Sequence, residues 1–435
     1  MKLRFGKLVM LMLLLAVPIS LTLIMSGCMA TSYGMVKSSA PRDLNPNISD
    51  ENLSTHKSNN NQFAFDLYAQ LKSGSGNLFF SPFSISQALA MTYAGAKGET
   101  ESQMAYTLHF TMGQETTHKG FNKVNLLLEK QMNQEDGFEE EMFRFEIANS
   151  IWAQEGDPWR PEFLDQLMIN YGAGIFPEDF ASDFEGARLR INNWVEEKTK
   201  DKIKDLLEKG TLNSATAMVL VNAIYFYGSW IEPFKKEATS DQEFTMEDGT
   251  KITIPMMFQS EDHRYAEVDD VQVVELKYKN CDISMLILLP KIDGMEALEN
   301  VLNNEFVARI NDGLANRTVI LTIPKVKMEA EFSLGDTLKA MGMPDAFDPG
   351  AADFSGMNGV GGLFISKVIH KAMVDIDEKG TEAAAATAVV MTKSMAPIPS
   401  DPVEFKADHT FIIMIRDNET GSILFLGRVN DPRGN

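Results

Sequence analysis

The sequence predicts an α+β fold with large, mostly antiparallel sheets. Three features lead there. Helical periodicity dominates the first half, long apolar runs rich in β-branched residues dominate the second, and the C-terminal stretch carries a hairpin pattern. The chain has 435 residues, 44% of them apolar and 23% charged, so it is globular and buries a large core. No repeat at solenoid or propeller spacing is present. Past one polar stretch near the N-terminus, no second Pro/Gly/Ser-rich linker divides the chain.

The N-terminus reads as an export signal over residues 1–27. Lys2, Arg4 and Lys7 form a positive start, residues 8–25 are an apolar run, and Ser26 and Gly27 are small residues ahead of Cys28. This order suggests a lipobox, with Cys28 lipidated and becoming the new N-terminus; Met25 is an unusual residue at its first position. The run of 18 apolar residues is also near the lower limit for a membrane-spanning helix, so an uncleaved anchor stays open. Either anchor places the remainder outside the cytoplasm, at the cell surface, with secretion as the alternative. Residues 28–61 are polar, with Pro41, Pro46 and the run Asn59, Asn60, Asn61, and read as a flexible tether. The folded domain is then expected over residues 62–435.

Within that domain, residues 63–71 and 191–198 place apolar side chains at helical spacing, the latter after acidic residues suited to a helix start. Residues 218–226, 283–289 and 319–323 read as central strands, the first buried on both faces. Residues 410–415 and 423–429 flank a turn at 417–421 and read as a hairpin.

Charge and motifs narrow the function. The formal net charge is −21, and loss of the signal's three positive charges makes it −24, which argues against a nucleic-acid surface or a polybasic membrane patch. Two cysteines, Cys28 and Cys281, exclude a disulfide framework and a Cys-rich zinc site. None of the six histidines falls in an H-E-x-x-H pair. There is no G-x-S-x-G elbow and no phosphate-binding G-x-x-x-x-G-K-[ST] loop. The glycine-rich residues 356–362 follow no clear strand and read as a surface loop. No cofactor or metal is expected, and enzyme activity is not.

The informative stretch runs from Asp375 to Pro402. Glu378 and Lys379 precede Gly380, a flexible joint. Thr381, Glu382, Ala383, Ala384, Ala385, Ala386 and Thr387 follow, and Pro397, Pro399 and Pro402 close the stretch in an extended backbone. An alanine-rich helix fits this segment. So does a strand in waiting: at period two, Thr381, Ala383, Ala385, Thr387, Val389 and Met391 share a face that is small or apolar, and no proline precedes Ala396. Periodicity leaves both open.

These residues resemble the hinge of the serpins, the loop-inserting protease inhibitors. Residues 77–85 resemble the serpin shutter helix start, residues 220–230 the central strand of the main sheet with its breach tryptophan, and residues 365–372 the strand leading into the hinge. Residues 405–411 resemble the C-terminal strand start, with Thr410 where proline is usual. The resemblance spans residues 62–432. It implies helices packed around three largely antiparallel sheets with an exposed reactive-centre loop, and a monomer that traps a target serine protease as a covalent complex. It places Ser81, Ser84, Asn222 and His370 at a polar shutter, and pairs Glu378 with Lys325 near Trp230 at the breach. Counting from Glu378 puts the scissile bond at Ser394-Met395; a register one residue shorter gives Lys393-Ser394, which lysine's fit to an acidic specificity pocket favours. Val390 and Met391 are further baits for elastase- or chymotrypsin-like pockets. A serpin-fold binding protein or simple protease substrate is the alternative, favoured by a charge or proline on the inserting face; neither is found there.

Overall fold

The computed structural model describes residues 33–72, 74, 76–132, 143–381 and 402–434. The signal, Cys28 and the loop from Glu382 through Met395 lie outside the described residues. In chain order the structure runs α1 (Asp50–Leu71), β1 (Leu78–Phe80), α2 (Pro82–Tyr93), α3 (Gly98–Thr107), α4 (Gly113–Met132), β2 (Arg144–Gln154), α5 (Pro161–Tyr171), β3 (Ile175–Glu178), α6 (Phe180–Lys198) and β4 (Met218–Ser229). It continues with β5 (Ser240–Thr245), β6 (Lys251–Val268), β7 (Val271–Lys277), β8 (Ile283–Pro290), α7 (Met295–Val301), α8 (Asn304–Gly313), β9 (Ala315–Pro324) and β10 (Val326–Ser333). The last elements are α9 (Gly335–Met341), α10 (Ser355–Asn358), β11 (Lys367–Ile376), β12 (Gly380–Thr381), β13 (Val403–Lys406), β14 (Phe411–Asp417) and β15 (Ile423–Val429).

The expected α+β class holds. One sheet has six strands in the order β10-β11-β12-β4-β2-β3. The other has nine: β1-β15-β14-β8-β7-β6-β9-β13, with β5 added on β6. Strand β6 is 18 residues long. Its first part pairs with β5 and β9 and its last part with β7, so two of the three expected sheets are joined through one strand. Pairing is antiparallel except for β11 with β4, β2 with β3, and β13 with β9. The hairpin forms as β14–β15.

Helix α2 is buried at every position, because it packs against β2 and β4 of one sheet and β15 of the other. A helix with no polar face belongs in such a place. Its start is fixed by Ser81, whose hydroxyl accepts from the Ser84 amide, with Pro82 in the first turn.

The expected tether over residues 28–61 needs correction where the structure describes it. Helix α1 begins at Asp50, capped by Ser49, ahead of the expected domain start at residue 62. The asparagines read as linker lie inside that helix. Asn61 donates to the Gly421 carbonyl and accepts from the Ile423 amide, bracing the β14–β15 hairpin. Residues before the helix are also docked. Val36 exchanges two backbone bonds with Ile175 of β3, 2.8 and 2.9 Å. Arg42 reaches Glu129 at 2.7 Å, and the Tyr33 ring stands edge-on to Trp152. Periodicity is blind to this, since pairing with an edge strand asks for backbone amides and no apolar pattern.

Candidate functional site

Among the described residues, those selected from the sequence gather at the six-stranded sheet, along the line where β4 faces β11. Those two strands pair in parallel from Lys367↔Val219 to Met373↔Tyr225. Strand β4 is a run of buried, mostly apolar residues, and β11 is buried from Val368 to Ala372, as a central parallel pair should be.

At one end of this seam a third strand is wedged. After Ile376 the chain turns, and the Asp377 carboxylate accepts from the Lys379 and Gly380 amides, 2.8 and 3.2 Å. Gly380 and Thr381 then run back between the two strands: Thr381 pairs with Ile376 and Gly228, and Gly380 with Ser229. The sequence marks Gly380 as a flexible joint; the structure seats it in the ladder instead. A Cβ at Gly380 would stand 2.1 Å from the Gly228 carbonyl oxygen, so the approach itself demands glycine.

The wedge is tied down from both sides. The Trp230 amide donates to the Lys379 carbonyl (2.8 Å), its indole N–H to the Asp377 carbonyl (3.1 Å), and the Phe234 amide to the Glu378 carbonyl (2.8 Å). The expected Glu378–Lys325 pair forms at 2.7 Å, and the Thr239 hydroxyl adds a 2.9 Å bond to Glu378. Burial pushes the Glu378 carboxyl up, but Lys325, a backbone N–H and Thr239 outweigh it and hold the group below the usual carboxylate value. Lys325 is about one-third exposed, so this pair positions the turn more than it stabilises the fold.

Midway along the seam the expected shutter residues meet. His370 stands opposite Asn222 in the strand register. The Ser81 amide donates to His370 Nε2 at 3.1 Å, which leaves Nδ1 to donate to Asn222 Oδ1. The Asn222 side-chain amide reaches Ser84 Oγ and Asn149 Oδ1, and Ser81 Oγ donates to the Leu424 carbonyl at 2.7 Å. Full burial lowers the His370 pKa to about 3, so the ring is neutral at neutral pH. The network links β2, β4, β11, the start of α2 and β15.

Two site residues have no signal in the sequence. Asn149 is an ordinary polar residue of β2 until its Oδ1 is found against Asn222. Tyr278, between β7 and β8, stacks on Trp230 with ring centroids 4.5 Å apart and meets Thr381 by its hydroxyl. Both are assembled by long-range pairing. Among the described residues no group of three or more metal-ligating side chains is assembled.

Known proteins agree with this architecture. The family model described as serpin (serine protease inhibitor) matches residues 58–432. The chain is 40% identical to human Serpin B4 over 86% of this chain and 98% of that protein. It is 38% identical to a leukocyte elastase inhibitor of Xenopus laevis, over 85% of this chain and 97% of the relative. The crystal structure of human thyroxine-binding globulin with bound thyroxine superposes with a TM-score of 0.77 at 32% identity, covering 88% of this chain and 99% of that one.

Proposed function

We infer that this chain, which belongs to the serpin family, is a suicide inhibitor of serine proteases. The observation that carries the reading is the wedge: Gly380 and Thr381 already pair with both β4 and β11, at the head of the seam that a longer strand would fill. The protease serine attacks a bond of the loop, the leaving amine takes the proton, and an acyl-enzyme forms. The upstream half of the loop, freed at its far end, extends β12 between β4 and β11 and carries the acyl-enzyme with it before water can release it.

Backbone chemistry favours the extension. It adds on the order of ten hydrogen bonds, each worth about 0.5–1.5 kcal/mol net. The β4–β11 pairing it displaces is parallel, the slightly weaker kind per residue. The intact form is therefore kinetically held above a more stable one. Continued in the register of Gly380↔Ser229 and Thr381↔Gly228, the new strand brings Met391 opposite Met218, the first residue of β4. Both proposed bonds, Lys393-Ser394 and Ser394-Met395, follow that position, so either leaves a full-length strand to insert. Relatives named leukocyte elastase inhibitors add elastase-type enzymes to the trypsin-like targets that Lys393 suits.

We also propose export through residues 1–27 and surface attachment by lipid at Cys28, with the inhibitor acting as a monomer and without a cofactor.

Mixing the protein with trypsin-, elastase- and chymotrypsin-like enzymes tests the reading. A complex that survives boiling in detergent, with a released C-terminal fragment whose mass marks the cut, is the expected result. Thr381→Arg places a charge at a fully buried position of the wedge and should turn inhibitor into substrate. Cleavage without complex by the parent protein would support a serpin-fold substrate or binding protein instead. An unmodified Cys28 in the cell-derived protein would remove the lipid anchor from the account.

A further inference from the structure

Tyr278 is fully buried beside the wedge, yet it belongs to neither strand of the seam. Its backbone bridges Trp230 in antiparallel register, with Ile231 and Lys279 amides donating to the Lys277 and Ser229 carbonyls at 2.9 and 2.8 Å. Its ring is clamped between Trp230, stacked at 20°, and Phe226, edge-on at a centroid distance of 4.9 Å. Gly228 leaves the room this ring needs, since a Cβ there would lie 2.7 Å from it. The ring therefore has one orientation, and its hydroxyl ends 2.8 Å from Thr381 Oγ1, itself fully buried.

We propose that Tyr278 is the positioning residue that docks the loop hinge in the sheet, by a hydrogen bond between its rigidly held phenol and the Thr381 hydroxyl. Withdrawal of Thr381 leaves the phenol hydroxyl without this partner in a dry site, which penalises the undocked hinge. Docking fixes the first rung, so insertion after cleavage starts in register without first searching for it. The other wedge bonds, from Asp377, Trp230 and Phe234 to the backbone of residues 377–380 and from Lys325 and Thr239 to the Glu378 carboxylate, all fall before Thr381. The Tyr278–Thr381 bond is specific to a hydroxyl at the hinge. The inference rests on the loop-inserting reading above, but its first test does not need a protease.

Hydrogen exchange read by mass spectrometry compares the parent with Tyr278→Phe and Thr381→Val, each of which keeps shape and removes one hydroxyl. Exchange at Gly380–Thr381 should accelerate roughly ten-fold in each single variant, the scale of one buried hydroxyl left unpaired. The double variant should show no more than either single one, and Thr381→Ser should exchange like the parent. The β10–β11 ladder should keep its protection in all of them. With a protease that the parent traps, Tyr278→Phe should raise the molar ratio needed for full inhibition several-fold and leave the association rate unchanged. Unchanged exchange at Gly380–Thr381, equal acceleration in β10–β11, or an unchanged inhibition ratio would overturn the proposal. A parent that traps no protease at all overturns the inhibitor reading, while local acceleration by Tyr278→Phe would still establish the dock.

Discussion

Strand β4 has two unlike neighbours. On one side β2 pairs antiparallel over ten residues, from Arg144↔Tyr227 to Ala153↔Met218. On the other β11 pairs in parallel over seven, from Lys367↔Val219 to Met373↔Tyr225, and the ladder is then interrupted by the two-residue wedge of β12. The first side is an ordinary finished ladder. The second has a shorter, slanted ladder and a two-residue strand already seated in its mouth, so on the loop-inserting reading proposed above the sheet would part here, between β4 and β11, rather than between β4 and β2.

The sharpest way to break this comparison is to lock each side in turn. Cysteines at Ile224 and Ala372 face each other across the seam, and cysteines at Ala148 and Ala223 across the finished ladder. Paired strands place Cα atoms within disulfide range. Oxidised, the seam pair should abolish covalent complex formation, restored on reduction; the β2–β4 pair should leave complex formation near the parent level. Gel analysis of complexes with and without reductant checks both. Equal effects would mean that the sheet opens elsewhere.

The shutter offers a finer version, because Asn222 is bonded to both sides. His370→Ala strips its partner on β11, and Asn149→Ala strips its partner on β2. Each leaves buried polar groups unpaired, and each should lower native stability by about 2–4 kcal/mol. Only His370→Ala should hasten conversion of the intact protein, on warm incubation, into an inactive form of higher thermal stability. Urea midpoints and residual inhibition with time separate the two effects.

Acid acts more weakly, on the seam through His370 and on the helices through His56 and His118. Burial lowers His370 to about 3, and His56 on α1 and His118 on α4 to about 4. Unfolded, each ring titrates near 6.5. The unfolded chain therefore binds more protons between those values, so stability is complete above about pH 6.5 and falls as pH drops toward 4, by up to roughly 1.4 kcal/mol per group per pH unit. Denaturant midpoints from pH 7 to pH 4.5 should decline, and His370→Gln should flatten the decline. A rise in stability over that interval would reverse the assignment of neutral buried rings.

Much of this fold is legible in the sequence, and the boundary of what is legible has a physical cause. Strands β4, β8, β9, β14 and β15 are long apolar runs, whose composition alone marks them. Glu378, Lys325, Asn222 and His370 stand out only by their resemblance to serpin motifs, and strand register brings His370 opposite Asn222. The stretch up to residue 61 reads as tether, because Pro41, before α1, and the asparagine run, inside it, carry no apolar period, while the partners of this stretch are edge backbone and distant side chains. The sequence marks Gly380 as a flexible joint and leaves Thr381 open between helix and strand, because whether a strand end is seated in a sheet depends on Tyr278 and Trp230, more than a hundred residues away.

The central claim is that the intact fold relaxes to a more stable one when its loop is cut and joins the sheet. Thermal unfolding of the intact protein and of the same protein nicked once in the loop, followed by circular dichroism and paired with hydrogen exchange across β4 and β11, tests it directly. The account predicts a nicked form that melts tens of degrees higher, with new protection along the residues that follow Thr381. A nicked form that melts at or below the intact one, with those residues exchanging freely, would contradict it.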